Sequence, residues 1–128
     1  MTEYSGLERF GIENIDFMES RRFLQSKSSS RFADYSLQMM SAAGIRSFKT
    51  VEVDHCAHAY AYVLDTKDNN RIAFSGDCRP SDDFIREGQG ADILVHEATF
   101  NDEMKNEAIR RKHCTISEAV QVGKSYVL

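Results

Sequence analysis

Four polar residues of this sequence stand where metal or acid-base chemistry could occur: His55, Asp77, Glu97 and His113. The first three each follow a short apolar run of the kind that forms strands, and His113 directly precedes a helix-start signal. Imidazole and carboxylate groups bind divalent metals and transfer protons. Because layered α/β folds place polar site residues at strand ends, we expect the four to meet at one end of a sheet.

Each of these residues also has a purely structural interpretation, which the residues alone leave open. His55 is compatible with a hydrogen-bonded surface histidine, and Asp77 with the first residue of a turn. Glu97 is compatible with a cap on the loop after its strand, and His113 with a helix-end residue without function.

The remaining histidines and the cysteines are interpreted as structural. His58 and His96 are assigned no chemistry, and each cysteine follows a candidate site residue, as expected of a small, partly buried neighbour: Cys56, Cys78 and Cys114. Three cysteines without a Cys-x-x-Cys pair indicate neither a disulfide framework nor a thiolate zinc site. A reducing compartment fits this usage.

The hydrophobic pattern predicts the strands that position the candidate residues. One β-prone run ends at His55, and a hairpin is predicted from residues 60–64 and 71–74 around the turn-prone residues 67–70. Ile-Leu-Val at 93–95 predicts a strand of the buried type.

Helix signals alternate with these strands. Apolar residues recur every three or four positions up to a glycine cap at Gly44, namely at Phe32, Tyr35, Met39 and Ala43. Ser81 is predicted to cap a short helix that ends at Gly88, and Thr-Ile-Ser-Glu at 115–118 is a capping box that opens another. The apolar residues 126–128 predict the start of a further strand, and we expect the natural chain to continue past it.

The composition limits the possible classes of protein. The chain has 128 residues, 41% hydrophobic and 28% charged, with one proline, which excludes collagen, low-complexity disorder and a coiled coil. A net charge of −4 argues against a large basic surface for duplex DNA but leaves local RNA contact open. No stretch approaches the ~20 apolar residues of a membrane helix. Residues 1–35 are predicted to be an irregular lead-in with a serine-rich joint, and 36–128 to form one domain.

Four motifs resemble, in order and spacing, the C-terminal part of ribonuclease Z (tRNase Z) of the metallo-β-lactamase superfamily. They are His-Cys-Ala-His-Ala-Tyr at 55–60, Phe-Ser-Gly-Asp-Cys-Arg-Pro at 74–80, His-Glu-Ala-Thr at 96–99 and His-Cys-Thr at 113–115. The resemblance covers about residues 36–128, and Phe-Lys-Thr at 48–50 resembles the long form of the family. It implies an α/β fold, a partial metallo-β-lactamase αββα sandwich with a mixed β-sheet flanked by helices.

The resemblance also implies roles for the four candidate residues. His55 resembles a zinc ligand, and Asp77 resembles the aspartate that bridges two zinc ions. Glu97 and His113 resemble the catalytic proton-transfer pair, in which the histidine protonates the departing RNA 3′ oxygen. Three small residues depart from the family pattern without removing a role: Ala61, Cys78 and Cys114.

The implied function is that of a part of a zinc-dependent endoribonuclease that removes the 3′ trailer from precursor tRNA. The family's two-zinc site also needs a His-x-His-x-Asp-His run and a further histidine that this chain lacks. We therefore expect this chain alone to be inactive and to bind zinc weakly, and its partners to be precursor tRNA and the ligand-bearing remainder of the same protein. No membrane partner is expected, and the implied location is intracellular: nucleus, mitochondrion or cytoplasm. The alternatives are another metallo-β-lactamase-type nuclease or hydrolase, or a metal-free module that binds RNA or protein.

Overall fold

A single five-stranded sheet organises the chain in the computed structural model, which describes residues 14–16 and 37–126. The strands follow one another in the sheet in chain order: β1 (Asn14–Asp16), β2 (Ile45–Glu52), β3 (Tyr60–Thr66), β4 (Arg71–Phe74) and β5 (Ile93–Val95). β1 pairs with β2, and β4 with β5, in parallel. The four-residue link between β3 and β4 is too short for a parallel crossover, so the sheet is mixed, as predicted.

Three described helices follow β4. They are α1 (Asp82–Glu87), α2 (Lys105–Arg111), which a 3₁₀ turn at Asp102–Met104 precedes, and α3 (Ile116–Tyr126). α1 lies in the crossover that joins the parallel strands β4 and β5. Within the described residues, no helix is long and apolar enough to cross a membrane.

The described residues fall into two compact units. The first contains residues 14–16, 37–49 and 64–70. Residues 37–42 are helical, and Gly44, at a φ of 75°, ends this helix as predicted. Lys67 closes the unit, because its backbone N–H donates to the Gly44 carbonyl and its ammonium donates to Ser41 Oγ at 2.7 Å.

The second unit, residues 50–63 and 71–126, holds the hydrophobic core and all four candidate residues. Its core joins residues in and just after β2, and residues of β3 and β4, to one face each of α1 and α3: Val51, Val53, Ala61, Val63, Ala73, Phe84, Val122 and Tyr126. Phe84 is fully buried, and the Tyr126 hydroxyl donates to the Phe84 carbonyl at 2.8 Å. This bond anchors the end of α3 on α1.

Local signals for the helix starts are confirmed. Ser81 caps α1, since its side chain accepts a hydrogen bond from the Phe84 N–H, and Gly88 follows the last helical residue. The capping box is reciprocal: Thr115 Oγ1 accepts from the Glu118 N–H at 3.3 Å, and the Glu118 carboxylate accepts from the Thr115 N–H at 3.0 Å.

Two predictions for the second unit are wrong. β5 is not of the buried type, because it is the last strand in the sheet order and Ile93 and Val95 are 52% and 45% exposed, while only Leu94 packs against the core. Tyr126 does not begin a strand but ends α3, because its spacing of four from Val122 puts both on the buried face of the helix.

Parts of the predicted organisation lie outside the described residues. The apolar positions Phe32 and Tyr35, the serine-rich joint and residues 127–128 belong to these parts. Within the segment 1–35, the structure describes the short strand β1, in which Ile15 pairs with Phe48. A strand is more regular than the lead-in that the sequence predicts there.

Candidate metal and acid-base site

The structure brings the four candidate residues together at the ends of the elements that precede them. His55, Asp77 and Glu97 follow β2, β4 and β5, and His113 follows α2. His55 Nε2 lies 3.9 Å from Asp77 Oδ2, and the rings of His55 and His113 are 4.7 Å apart between centroids. One potential ligand atom from each of His55, Asp77 and His113 lies within 4.8 Å of the others.

A backbone carbonyl fixes the orientation of His55. His55 Nδ1 lies 2.9 Å from the Lys112 carbonyl oxygen, which can only accept a hydrogen bond, so Nδ1 carries the proton. The Nε2 lone pair is then free on the side of Asp77. A histidine held in this way by a carbonyl is the usual arrangement of a metal ligand. Lys112 is the C-cap of α2 at a φ of 59°, and its ammonium forms an ion pair with Asp54 at 2.8 Å.

A tight turn after β4 presents Asp77. Gly76 has a φ of 58°, a backbone conformation that glycine adopts without strain. A Cβ at this position would also stand only 3.2 Å from the Tyr60 carbonyl oxygen, so a larger residue would be crowded. The buried Ser75 hydroxyl donates to the Gly76 carbonyl and accepts from the Glu97 N–H at 3.0 Å. The turn therefore holds the Asp77 backbone, while the Asp77 side chain stays 63% exposed.

Glu97 accepts hydrogen bonds from several groups that surround it. The backbone N–H groups of Cys78 and Cys114 donate at 2.7 and 2.9 Å, and the Thr99 hydroxyl donates at 2.8 Å. His113 Nδ1 lies 2.8 Å from Glu97 Oε1. Burial raises the pKa of Glu97, but the hydrogen bonds together lower it by more. The pKa of Glu97 therefore lies below the ordinary value of 4.5. Glu97 is therefore an ionised acceptor, so the proton of this hydrogen bond lies on His113 Nδ1. Nε2 is then the nitrogen at which the His113 ring can exchange a proton with a bound molecule.

Arg79 connects the loop after β4 to His113. Its guanidinium forms two hydrogen bonds to the Glu118 carboxylate, at 2.8 and 2.6 Å, and one to the His113 carbonyl at 2.5 Å. Both side chains of this ion pair are less than one-fifth exposed. The sequence prediction treats Glu118 only as part of the capping box and does not identify Arg79. The signal in the sequence that could have identified Arg79 is its position, two residues after Asp77 within the 74–80 motif.

A second group of metal-binding side chains lies beside the first, also unpredicted. One ligand atom from each of Cys78, His96 and Cys114 lies within 4.8 Å of the others. The close Cys114 thiol lowers the pKa of Cys78 to about 6, against the opposing effect of burial. The spacing of these residues in the sequence matches no metal motif, because each comes from a different loop.

Helices lie beside a mixed sheet, and polar donors that follow three of its strands gather at one place. This arrangement and the solved structures that it matches define the class of the protein: it is a part of a metallo-β-lactamase fold. A long-form RNase Z from yeast matches 77% of this chain and 14% of its own, with a TM-score of 0.66 and 33% identity. The short form of human tRNase Z matches 61% of this chain and 31% of its own, with a TM-score of 0.55 and 26% identity.

Curated relatives identify the family. Ribonuclease Z 1 of Schizosaccharomyces pombe is 33% identical over 125 residues, 97% of this chain and 16% of its own length. The zinc phosphodiesterase ELAC protein 2 homolog of Caenorhabditis elegans is 45% identical over 76 residues, 59% of this chain and 9% of its own length. The chain belongs to the ribonuclease Z family, and it spans about a sixth or less of these relatives. No family model matches it.

Proposed function

We propose that this chain is part of a zinc-dependent endoribonuclease that removes the 3′ trailer from precursor tRNA. The observation that supports this function best is the position of His113, whose Nδ1 is held by Glu97 and whose ring lies 4.7 Å from that of His55. A residue that can donate a proton thus stands directly beside a candidate metal ligand, and this arrangement can assist metal-dependent phosphodiester cleavage. Relatives named ribonuclease Z and zinc phosphodiesterase carry the same region of sequence.

His55 and Asp77 would hold zinc in the complete protein. Imidazole and carboxylate are both zinc ligands, and the free Nε2 of His55 faces Asp77 across 3.9 Å. The exposure of the Asp77 carboxylate leaves it accessible to ions and to donors from the remainder of the protein. When bound, zinc supplies Lewis-acid activation of water and of the phosphodiester.

His113 and Glu97 would act as the proton-transfer pair. Glu97 accepts a hydrogen bond from the Nδ1–H and orients the ring, so that an imidazolium with a second proton on Nε2 can give that proton to the departing 3′ oxygen and become neutral. The lowered pKa of Glu97 keeps this acceptor ionised at neutral pH. Glu97 is thus a positioning residue, and His113 is the residue that contacts the leaving group.

The remaining zinc donors would come from other parts of the same protein. The chain has four histidines, and only His55 matches a zinc-ligand position of the family pattern. A catalytic zinc takes three protein ligands, so His55 and Asp77 alone should bind it weakly. We therefore propose that the isolated chain cleaves no precursor tRNA. One relative is named mitochondrial, which supports the mitochondrion as a location of the complete protein, and the nucleus and the cytoplasm are the alternatives.

The test uses single-turnover cleavage of a precursor tRNA, with zinc content measured on the same samples of the complete protein. Asp77→Ala should lose both zinc and cleavage. His113→Ala should keep its zinc and cleave ~10²–10⁴-fold more slowly, which is the contribution of a general acid. The control is His58→Asn, which changes an exposed histidine at a φ of 61° that asparagine tolerates and should leave both measurements unchanged. Loss of zinc from His113→Ala would contradict the assigned role.

A further inference from the structure

Two cysteines and a histidine from three separate loops converge in the interior of the second unit. Cys78 follows β4, His96 follows β5, and Cys114 precedes α3. Both cysteines have no solvent exposure, and all three ligand atoms lie within 4.8 Å of one another. None of these side chains takes part in the proposed reaction.

The histidine is oriented as a metal ligand. His96 Nδ1 lies 2.8 Å from the Glu97 carbonyl oxygen, which can only accept, so Nδ1 carries the proton and Nε2 has a free lone pair. His96 Nε2 is buried and makes no hydrogen bond of ordinary geometry among the described residues, and the side chain that interacts with this histidine is Cys78, itself one of the three donors. A buried polar atom without a partner is costly, and a bound ion is one of the ordinary ways to satisfy it.

The thiols complete a donor set of the right chemistry. The Cys114 thiol donates a hydrogen bond to the Cys78 carbonyl at 3.0 Å and interacts with the Cys78 thiol. Thiolates select thiophilic ions such as Zn²⁺ over hard cations. Zinc-sulfur and zinc-nitrogen bonds of ~2.3 and ~2.0 Å place the donors of one ion roughly 3.5–3.8 Å apart. Donors that already lie within 4.8 Å need to approach one another by only about 1 Å.

We propose that Cys78, His96 and Cys114 form a buried binding site for a thiophilic divalent ion of the zinc type. Two thiolates and one neutral imidazole balance the charge of the ion, and its binding releases to solvent whatever protons the two thiols still carry. The bound ion joins the loop that carries Asp77 to the loop that carries His113. The site is therefore structural, and it is independent of the proposed reaction.

Cobalt is the probe, because Co²⁺ bound to thiolate has a strong charge-transfer absorption that imidazole and carboxylate sites lack. The full chain is purified with a non-chelating reductant, loaded with Co²⁺ and then challenged with Zn²⁺. The expected result is one thiolate-bound cobalt per chain, displaced by zinc. His55 and Asp77 contribute no thiolate, so cobalt bound at the proposed catalytic site gives no thiolate charge-transfer absorption.

Substitutions identify which cysteines give the thiolate absorption. Cys78→Ser and Cys114→Ser should each lose the absorption, whereas Cys56→Ser, which changes the exposed cysteine, should keep it. Alkylation of the unsubstituted chain is a second measurement that needs no folded variant. Zinc should slow the modification of Cys78 and Cys114 at least tenfold and leave that of Cys56 unchanged. Absence of the thiolate absorption in the reduced chain would overturn the proposal, as would equal alkylation of the three cysteines with and without zinc.

Discussion

Replacement of Arg79 by methionine should destabilise the second unit strongly. Methionine keeps much of the apolar length of arginine but removes the guanidinium, which makes two hydrogen bonds to Glu118 and one to the His113 carbonyl. The Glu118 carboxylate would remain mostly buried and lose its charged partner. The loops that carry Asp77 and His113 would lose the side chain that connects them.

The size of the effect follows from these contacts. Removal of one partner of a buried ion pair costs ~3–5 kcal/mol. Both side chains retain some exposure, and Glu118 keeps its hydrogen bond from the Thr115 N–H and a longer ion pair to Lys105 at 4.0 Å. We therefore expect a loss of about 2–4 kcal/mol in the free energy of unfolding. Arg79→Lys should lower the free energy of unfolding by less than Arg79→Met, because lysine keeps the charge but cannot make the two parallel hydrogen bonds of the guanidinium.

Urea unfolding followed by circular dichroism measures this free energy, with the slope against urea as a check on two-state behaviour. Arg86→Met is the matched control, because Arg86 pairs with Asp83 but both side chains are about two-thirds exposed. Such a surface pair contributes ~0–1 kcal/mol. The reasoning would be refuted if Arg79→Met and Arg86→Met lowered the free energy of unfolding by the same amount. Restoration of part of the loss by adding Glu118→Gln to Arg79→Met would support the buried carboxylate as its cause.

Three further predictions concern the same unit and the same unfolding assay. Hydrogen bonds in the folded chain hold the pKa values of Glu118 and Glu97 below their ordinary 4.5, and for Glu118 the largest cause is the bond from Arg79. In acid the unfolded chain therefore binds more protons than the folded chain. The free energy of unfolding should therefore fall as pH drops below about 4.5, and a flat profile between pH 5 and 3 would contradict this. Thr115→Ala should cost ~1 kcal/mol by removing the cap of α3, whereas Thr115→Ser, which keeps the capping hydroxyl, should cost less, and equal losses would contradict the role of the hydroxyl. Lys112→Val should cost about 1 kcal/mol more than Lys112→Gly, because only glycine adopts its φ of 59° without strain, and equal effects would exclude that strain.

The sequence predicts the described elements well where short-range chemistry determines them. The capping box at 115–118, the serine cap at Ser81 and the turn at 67–70 are each decided by residues within a few positions of one another. The positions of the four candidate residues could be anticipated for a similar reason. Neighbouring strands in a sheet bring their ends together, so residues that follow strands become neighbours in space.

The remaining features depend on contacts between distant residues. Arg79 and Glu118 are 39 positions apart, and neither has a sequence context that marks it as half of a pair. Cys78 and Cys114 are 36 positions apart and become neighbours only when two loops pack side by side. The exposure of Ile93 and Val95 was predicted wrongly because an apolar run records the composition of a strand and not its place in the sheet.

The hydrogen bond from His55 to the carbonyl of Lys112 has a consequence for how this region can change in evolution. Every amino acid has a backbone carbonyl, so no substitution at this position deletes the acceptor. The bond depends instead on where α2 ends. One residue inserted into or deleted from α2 would rotate its last carbonyl by about 100° around the helix axis and direct it away from the imidazole. Related sequences should therefore vary in side chain at this position, among residues that tolerate its φ of 59°, while the number of residues between Glu97 and His113 stays constant. A scan of insertions would reveal a dependence that an alanine scan misses.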